Sequence, residues 1–255
     1  MSVLDSIIEG VREDLAARRM PLSQLHEQLE KAPKPIEVYF PISEMSVIAE
    51  VKRKSPSKGD LANIPEPAKL ALQYESAGAA AISVLTEQRR FNGSLSDFDA
   101  VRKEVRIPML RKDFMVDEYQ FYEARAHGAD IVLLIVAGLS KSQLADYFAL
   151  ACELGMQSLV EVHTNDELEA AMEISPKIVG VNSRNLKTLE VDASVFKELI
   201  PRIPAELSKV AESGISSRGD VLYAQEAGAN VILVGEALVK AGDPTKSLPE
   251  LLGLQ

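Results

Sequence analysis

In a chain of 255 residues, a formal net charge of −10 argues against a nucleic-acid partner, because binding to a phosphate backbone needs a basic face. Cys152 is the only cysteine, which excludes an intramolecular disulfide and a thiolate metal cluster. No apolar run reaches the roughly 20 residues of a membrane span, and no basic, apolar leader stands at the N-terminus, so we expect a cytoplasmic protein without membrane contact.

Residues 1–45 are predicted to form a helical extension and a connector that precede the first strand. Ser2 and Asp5 fit a capping box, and the residues after them are typical of an amphipathic helix that packs on the rest of the protein. Its apolar positions follow helical spacing: Leu4, Ile7, Ile8, Val11 and Leu15. The segment 31–41 contains three prolines and is predicted to be an extended connector.

Eight short apolar runs follow, and most of them lead directly into polar or glycine residues. Strands that are buried on both faces have this continuous apolar pattern, and parallel strands need helical crossovers of about this spacing. The runs begin at Val47, Ala81, Pro108, Ile131, Ser158, Ile178, Val210 and Val231.

Seven segments between these runs are predicted to be helical, namely 65–76, 94–105, 117–126, 141–154, 165–174, 192–200 and 217–227. Glycine follows four of them at the stop position, as Gly78, Gly128, Gly155 and Gly228. Eight alternating units predict a closed (β/α)8 TIM barrel over residues 46–255, with an additional N-terminal helix, and one such barrel of about 250 residues makes 1–255 a single domain. The alternative is an open doubly wound sheet, which usually has fewer strands and a glycine-rich turn after the first.

Ionisable side chains stand at the carboxyl ends of the predicted strands, where barrel chemistry is found. Residues two apart in a strand share a face, so Glu50, Lys52, Lys112 and Glu161 are predicted to point inward with the apolar residues that precede them. Asn182 ends another strand. A network that only neutralises buried charge would have the same pattern. The convergence of four strands at one end nevertheless favours a site.

Two glycine-containing turns indicate an anion site. Ser213-Gly214 and Gly235-Glu236 follow the seventh and eighth strands, the usual position of a barrel phosphate site, and a short helix is predicted from Glu236. Ordinary turn glycines are the alternative. The carboxylate of Glu236 cannot help an anion, so only its backbone N–H is considered. The basic, hydroxyl-rich loop 53–59 is predicted to act as a lid or to contact an anion.

Apolar residues near the strand ends could wall a pocket for a flat ring, namely Phe91, Phe114, Leu133 and Leu186. Taken singly, each of them is more often a core residue than a pocket residue. Surface or structural roles are expected for His26, His127 and His163, and no metal-ligand spacing is present.

The ordered strand-end motifs closely resemble those of indole-3-glycerol phosphate synthase. The first is Glu50-Val51-Lys52-Arg53-Lys54-Ser55-Pro56-Ser57-Lys58-Gly59. It is followed by Phe91-Asn92-Gly93-Ser94, Leu110-Arg111-Lys112-Asp113-Phe114, Leu159-Val160-Glu161-Val162, Val181-Asn182-Ser183-Arg184-Asn185-Leu186, Ala211-Glu212-Ser213-Gly214-Ile215 and Leu233-Val234-Gly235-Glu236-Ala237-Leu238. The resemblance spans the barrel and includes the N-terminal helix.

The resemblance implies conversion of a small phosphorylated substrate, 1-(2-carboxyphenylamino)-1-deoxyribulose 5-phosphate, to indole-3-glycerol phosphate, without a metal or organic cofactor. It implies Lys112 as general acid, Glu161 as base, Lys52 in anchoring and acid chemistry, Glu50 in tuning the lysines and Asn182 on the reacting chain. Arg184 is expected to meet the substrate carboxylate. The remaining substrate contacts are Ser55, Phe91, Phe114, Leu133, Leu186 and Glu212, and the phosphate contacts are Lys52, Ser213, Gly214, Gly235 and Glu236.

The chain departs from the family pattern at two places. Ser183 stands where many relatives have a second asparagine, but its parity points it away from the mouth of the barrel. The chain has no tryptophan, so the indole side chain that some relatives place over the substrate ring is absent, and Ile7 or Ile8 could replace it.

Three other functions are considered. A Schiff-base aldolase would use neutral Lys112 as its nucleophile. A phosphoribosylanthranilate isomerase would be expected to use a cysteine and an aspartate pair, but Cys152 lies in mid-helix, which argues against it. A phosphate-ligand sensor would keep the barrel and the anion site without catalysis. The intact lysines and glutamates favour the synthase. We expect a monomer or a weak homodimer.

Overall fold

A computed structural model describes residues 2–254, and its central element is a closed barrel of eight parallel strands. Each strand pairs with its sequence neighbours, and the first pairs with the last through Ser46 and Val231. This closure confirms the predicted TIM barrel and shows that the open-sheet alternative is wrong. The strands are β1 (Ser46–Val51), β2 (Ala81–Leu85), β3 (Met109–Lys112), β4 (Ile131–Ile135), β5 (Gln157–Val162), β6 (Ile178–Asn182), β7 (Ser208–Glu212) and β8 (Val231–Val234).

Helices connect the strands and cover the barrel. The seven predicted helical segments are confirmed, each to within two residues at either end. The helices in chain order are α1 (Val3–Arg18), α2 (Leu22–Lys31), α3 (Pro67–Ser76), α4 (Leu95–Glu104), α5 (Tyr119–Ala126), α6 (Lys141–Glu153), α7 (Asn165–Glu173), α8 (Ser194–Leu199), α9 (Arg218–Glu226), α10 (Glu236–Lys240) and α11 (Pro244–Leu252).

Two of these helices, α2 and α11, have no counterpart among the predicted elements. The side chain of Asp243 caps α11 by accepting from the Thr245 N–H, and Pro244 stands at the first helical position. Pro249 lies within the helix. The four predicted stop glycines are confirmed, with φ between +77° and +102°. None of the helices in residues 2–254 is long and apolar enough to cross a bilayer.

Alternate strand residues divide the core into two layers. Ile48, Leu110 and Leu159 lie inside the barrel, whereas their neighbours Val47, Met109 and similar residues pack outward against the helices. This alternation is the parity from which the inward direction of the strand-end residues is predicted. It therefore fixes which side chains can enter the mouth of the barrel.

The N-terminal extension covers both ends of the barrel. The capping box of Ser2 and Asp5 is confirmed, and Leu4, Ile7 and Val11 of α1 pack with the interior cluster at the mouth. The segment after α2 is extended, as predicted, and crosses the opposite end. There it donates from the Ile36 N–H to the buried carboxylate of Asp130 at 2.7 Å.

We predict that Asp130→Ala destabilises the barrel through this end. Asp130 also accepts from the Met109 N–H and from Arg102, each at 2.8 Å, so its removal leaves three donors without this acceptor, one of them the fully buried Met109 N–H. Loss of one partner from a buried charged network costs about 3 kcal/mol or more. Urea unfolding should report a loss of that size, while Asp146→Ala, an exposed change on α6, should remain within about 0.5 kcal/mol of the parent. Equal stability of the two variants would contradict this account.

Candidate active site

A cavity of about 990 Å³ opens at the carboxyl ends of the strands. The structure brings every sequence-predicted site residue to its wall. These are Glu50, Lys52, Ser55, Phe91, Lys112, Phe114, Leu133, Glu161, Asn182, Arg184, Leu186, Glu212, Ser213, Gly214, Gly235 and Glu236. Strand parity explains the gathering, because the end of each strand aims its inward residue into the same volume.

A buried charge cluster lies at the floor of the cavity. The Lys112 ammonium is 3.1 Å from Oε2 of Glu161 and 3.6 Å from Oε2 of Glu212. Both carboxylate side chains are at most 2% exposed. Burial alone would lower the pKa of Lys112, but the charges of Glu161, Glu212 and Glu50 outweigh it and hold that pKa above its ordinary value. Lys112 is therefore held as an ammonium ion in the site.

The two carboxylates beside Lys112 differ in their environments. Burial alone would raise the pKa of Glu161, but Lys112, His163 and the Asn182 amide hold it below its ordinary value. Burial, followed by the charge of Glu161, raises the pKa of Glu212. Glu161 is thus kept ionised, whereas Glu212 holds a proton more readily than an ordinary glutamate. Such a separation of pKa values is common where one group must accept a proton and another must donate one.

Two glycines make room for the carboxylates. A Cβ on Gly180 would overlap Oε1 of Glu212, and a Cβ on Gly235 would lie 2.8 Å from Oε2 of Glu50. Any larger residue at either position would push its carboxylate out of the cluster. Glu50 itself pairs with Lys52 across the start of the loop that follows β1.

Arg184 is held at the rim of the cavity by neighbouring loops. Its Nη1 donates to Oγ of Ser57 at 3.0 Å and to the Leu189 carbonyl at 2.9 Å. Its backbone N–H donates to Oδ1 of Asn182 at 3.0 Å. The guanidinium is therefore preorganised beside the floor cluster, where it can meet a carboxylate.

The loop predicted to be a lid lines the cavity, as do both glycine-containing turns that follow β7 and β8. A small hairpin of Lys54–Ser55 and Gly59–Asp60 forms within the loop, and Lys58 reaches across to pair with Glu236 at 2.7 Å. Ser213 adopts a φ of +65°, in the left-handed region that is costly for a residue with a Cβ. The carboxylate of Glu236 points to Lys58 and Lys240, so it is neutralised by these cations.

Apolar residues form the other side of the cavity. The rings of Phe91 and Phe114 lie with centroids 6.1 Å apart and planes tilted by 40°. Ile7 of α1 adds to this wall, whereas Ile8 does not line the cavity and instead packs near Gly138. Of the two isoleucines considered as replacements for a tryptophan, Ile7 is the one in place.

His163 is the residue near the site that sequence reasoning undervalued. It shares the parity of Glu161 and follows it by two, which was the available signal. Its Nε2 lies 3.4 Å from Oε1 of Glu161, and its Nδ1 lies 3.0 Å from Oε2 of Glu167. His26 lies on α2 outside the barrel, and His127 pairs with Asp99 in the turn after α5.

Two further predictions concern groups outside the cavity. Ser183 points away from the mouth, as its parity predicts, and donates to the carbonyls of Glu212 and Ser213. Among residues 2–254, no cluster of three or more His, Cys, Asp or Glu side chains is arranged to hold a metal ion.

Comparison with known proteins gives a consistent result. The family model described as indole-3-glycerol phosphate synthase matches residues 4–251. The proteins of that name from Paenarthrobacter aurescens and Rhodococcus jostii are 55% and 53% identical to the chain. The first match covers 98% of this chain and 95% of its relative, and the second covers 99% and 95%.

Solved structures with low sequence identity share the fold. A 3-hexulose-6-phosphate synthase matches with a TM-score of 0.65 at 19% identity, covering 82% of this chain and 99% of that one. The tryptophan synthase complex of Pyrococcus furiosus matches with a TM-score of 0.62 at 19% identity, covering 83% and 99%. These likenesses concern the barrel alone. The family model and the relatives together show that the chain belongs to the indole-3-glycerol phosphate synthase family.

Proposed function

We propose that the chain converts 1-(2-carboxyphenylamino)-1-deoxyribulose 5-phosphate to indole-3-glycerol phosphate, with loss of carbon dioxide and water. As a member of its family it is a lyase of tryptophan biosynthesis. The observation that carries the finer proposal is the Lys112 ammonium, which is buried between the carboxylates of Glu161 and Glu212 at the floor of the cavity. That arrangement suits a reaction that needs a general acid and a general base side by side.

In the first step the ring carbon that bears the carboxylate attacks the ketone carbon. Negative charge develops on the ketone oxygen, and Lys112 donates a proton to it. The surrounding carboxylates keep Lys112 charged until that moment, so the donor is present in every resting molecule. Loss of carbon dioxide then leaves its bonding electrons in the ring and restores aromaticity.

In the second step the new hydroxyl leaves as water. Glu161, which is kept ionised by Lys112 and His163, removes the proton from the adjacent carbon as the ring double bond forms. An acid must protonate the departing hydroxyl, and Lys52 is assigned to this role because it lines the same cavity. Glu50 holds Lys52 by its ion pair, and Asn182 holds Glu161.

The substrate's other groups find partners of suitable chemistry. Its phosphate is assigned to the backbone of Ser213, Gly214, Gly235 and Glu236, with Lys52, and its carboxylate to Arg184. The aromatic ring is assigned to the apolar wall, and the remaining polar chain to Ser55 and Glu212. The wall comprises Phe91, Phe114, Leu133, Leu186 and Ile7. A cavity of about 990 Å³ is large enough for one such molecule.

A Schiff-base aldolase is less well supported. It would need neutral Lys112 as a nucleophile, yet the neighbouring carboxylates raise the pKa of that lysine. No observation on the described residues favours that alternative.

The proposed reaction is tested by the appearance of indole-3-glycerol phosphate fluorescence when the carboxyphenylamino-deoxyribulose phosphate is added with chelator present. We expect saturable product formation. Saturable binding of the same compound without product would replace the enzyme with a sensor, and neither binding nor product would reject the substrate.

Lys112→Ala should abolish measurable turnover, because a positioned general acid contributes about 10²–10⁴-fold to a rate. Competitive inhibition by inorganic phosphate should change little, since the phosphate turns lie on other loops. Lys209→Ala is the matched control, because this half-buried lysine lies at the other end of β7 and should leave kcat unchanged. Retained turnover in Lys112→Ala would reject the assignment of the acid.

Arg184→Ala should raise KM for the carboxylated substrate by about 10–100-fold, the equivalent of one charged hydrogen bond of about 1.5–3 kcal/mol. Steady-state kinetics with Arg202→Ala, which removes an exposed arginine outside the cavity, provides the comparison. An unchanged KM in Arg184→Ala would place the substrate carboxylate elsewhere.

A further inference from the structure

The Glu161 carboxylate lies between Lys112 and His163. Its Oε2 is 3.1 Å from the Lys112 ammonium, and its Oε1 is 3.4 Å from Nε2 of His163, whose side chain is 10% exposed. An ionised carboxylate at this depth is costly unless neighbouring cations compensate it. His163 is placed to supply part of that compensation.

His163 is held in place from its other side by α7. Oε2 of Glu167 accepts from the His163 backbone N–H at 2.7 Å and lies 3.0 Å from its Nδ1. Glu167 is itself fixed in the first turn of α7, where its N–H donates to the capping hydroxyl of Thr164 at 3.2 Å. The imidazole therefore lies between two carboxylates: Glu167 holds it on one side, and its Nε2 is 3.4 Å from Oε1 of Glu161 on the other.

We propose that His163 is a positioning residue that acts through Glu161. As an imidazolium clamped by Glu167, it holds the Glu161 carboxylate ionised and leaves Oε2 of that group to Lys112. This inference rests on the proposed role of Glu161 as the base.

The charges around the pair support this role. Glu161 is faced by Lys112, Asn182, Glu212 and Glu50, in addition to His163. Without His163, Glu161 would keep Lys112 but lose its second neighbouring cation, and the pKa of Glu161 would rise. An opposite charge at this distance accounts for about 1–3 pH units.

The protonation state of His163 follows from its two partners. Burial alone would lower the pKa of His163, but Glu161 and Glu167 outweigh it and raise that pKa to about 10. A group whose pKa is raised in this way stays charged below that value. His163 is accordingly an imidazolium throughout the neutral range, where the base has to be ionised.

His163→Gln should shift the acid limb of the kcat profile to higher pH by about one unit or more, because Glu161 then becomes protonated at higher pH. KM should change much less than kcat. Glu167→Gln should cause a smaller shift in the same direction, since the imidazolium is then less well held. His127→Gln is the control, because His127 has an equivalent pairing with Asp99, at 2.5 Å, on the opposite face, and its profile should match the parent.

Nitrogen-15 NMR of the histidines tests the charge without turnover. We expect both nitrogens of His163 to be protonated at pH 8 in the parent. An unshifted acid limb in His163→Gln, or a neutral imidazole at pH 8, would overturn the proposal while the parent remained active. An inactive parent would reject the proposed function instead, and the NMR experiment would still decide the state of His163. If His163→Gln fails to fold, Glu167→Gln and the NMR titration carry the test.

Discussion

The structure of the cavity depends on one interaction, the attraction between the buried Lys112 ammonium and the carboxylates that surround it. None of these groups could remain charged alone at this depth, because burial penalises each ionised form. Together they compensate one another, and the result is a charged acid beside an ionised carboxylate. The same electrostatic interactions that stabilise the cluster also determine which of its groups are protonated, as the proposed chemistry requires.

The barrel makes this cluster possible by its geometry. Parallel register places Glu161 level with Gly180 and Asn182 level with Glu212, so that adjacent strands deliver their polar ends at the same height. Gly180 then provides the space into which the Glu212 carboxylate extends. A small residue on one strand is thus as necessary to the cluster as the ionisable residue on the next.

The N-terminal extension belongs to the site as well as to the fold. Helix α1 supplies Ile7 to the apolar wall, and Arg18 at its end pairs with buried Glu123 at 3.0 Å. Glu123 in turn pairs with Arg111, which lies one residue before Lys112 and is fully buried. The outward neighbour of Lys112 is therefore fixed to the helical layer, and this helps to hold the lysine in position.

Much of this could be predicted from the sequence, because alternation along a strand and spacing along a helix are local properties of the chain. The eight strands, the inward parity of Glu50, Lys112 and Glu161 and the stop glycines are all local in this sense. Helices α2 and α11 were not among the predicted elements, although leucines recur at helical spacing in both.

The pairings within the site could not be predicted, because distances between different strands depend on barrel closure and register. Only the tertiary structure decided that Lys112 contacts Glu161 and Glu212, while Lys52 takes Glu50. The same holds for His163, whose parity was visible but whose burial between Glu161 and Glu167 was not. By itself the sequence determined which side chains point into the cavity. The closed barrel decided which of them form ion pairs, because ion pairing depends on the distance between the charged groups in space.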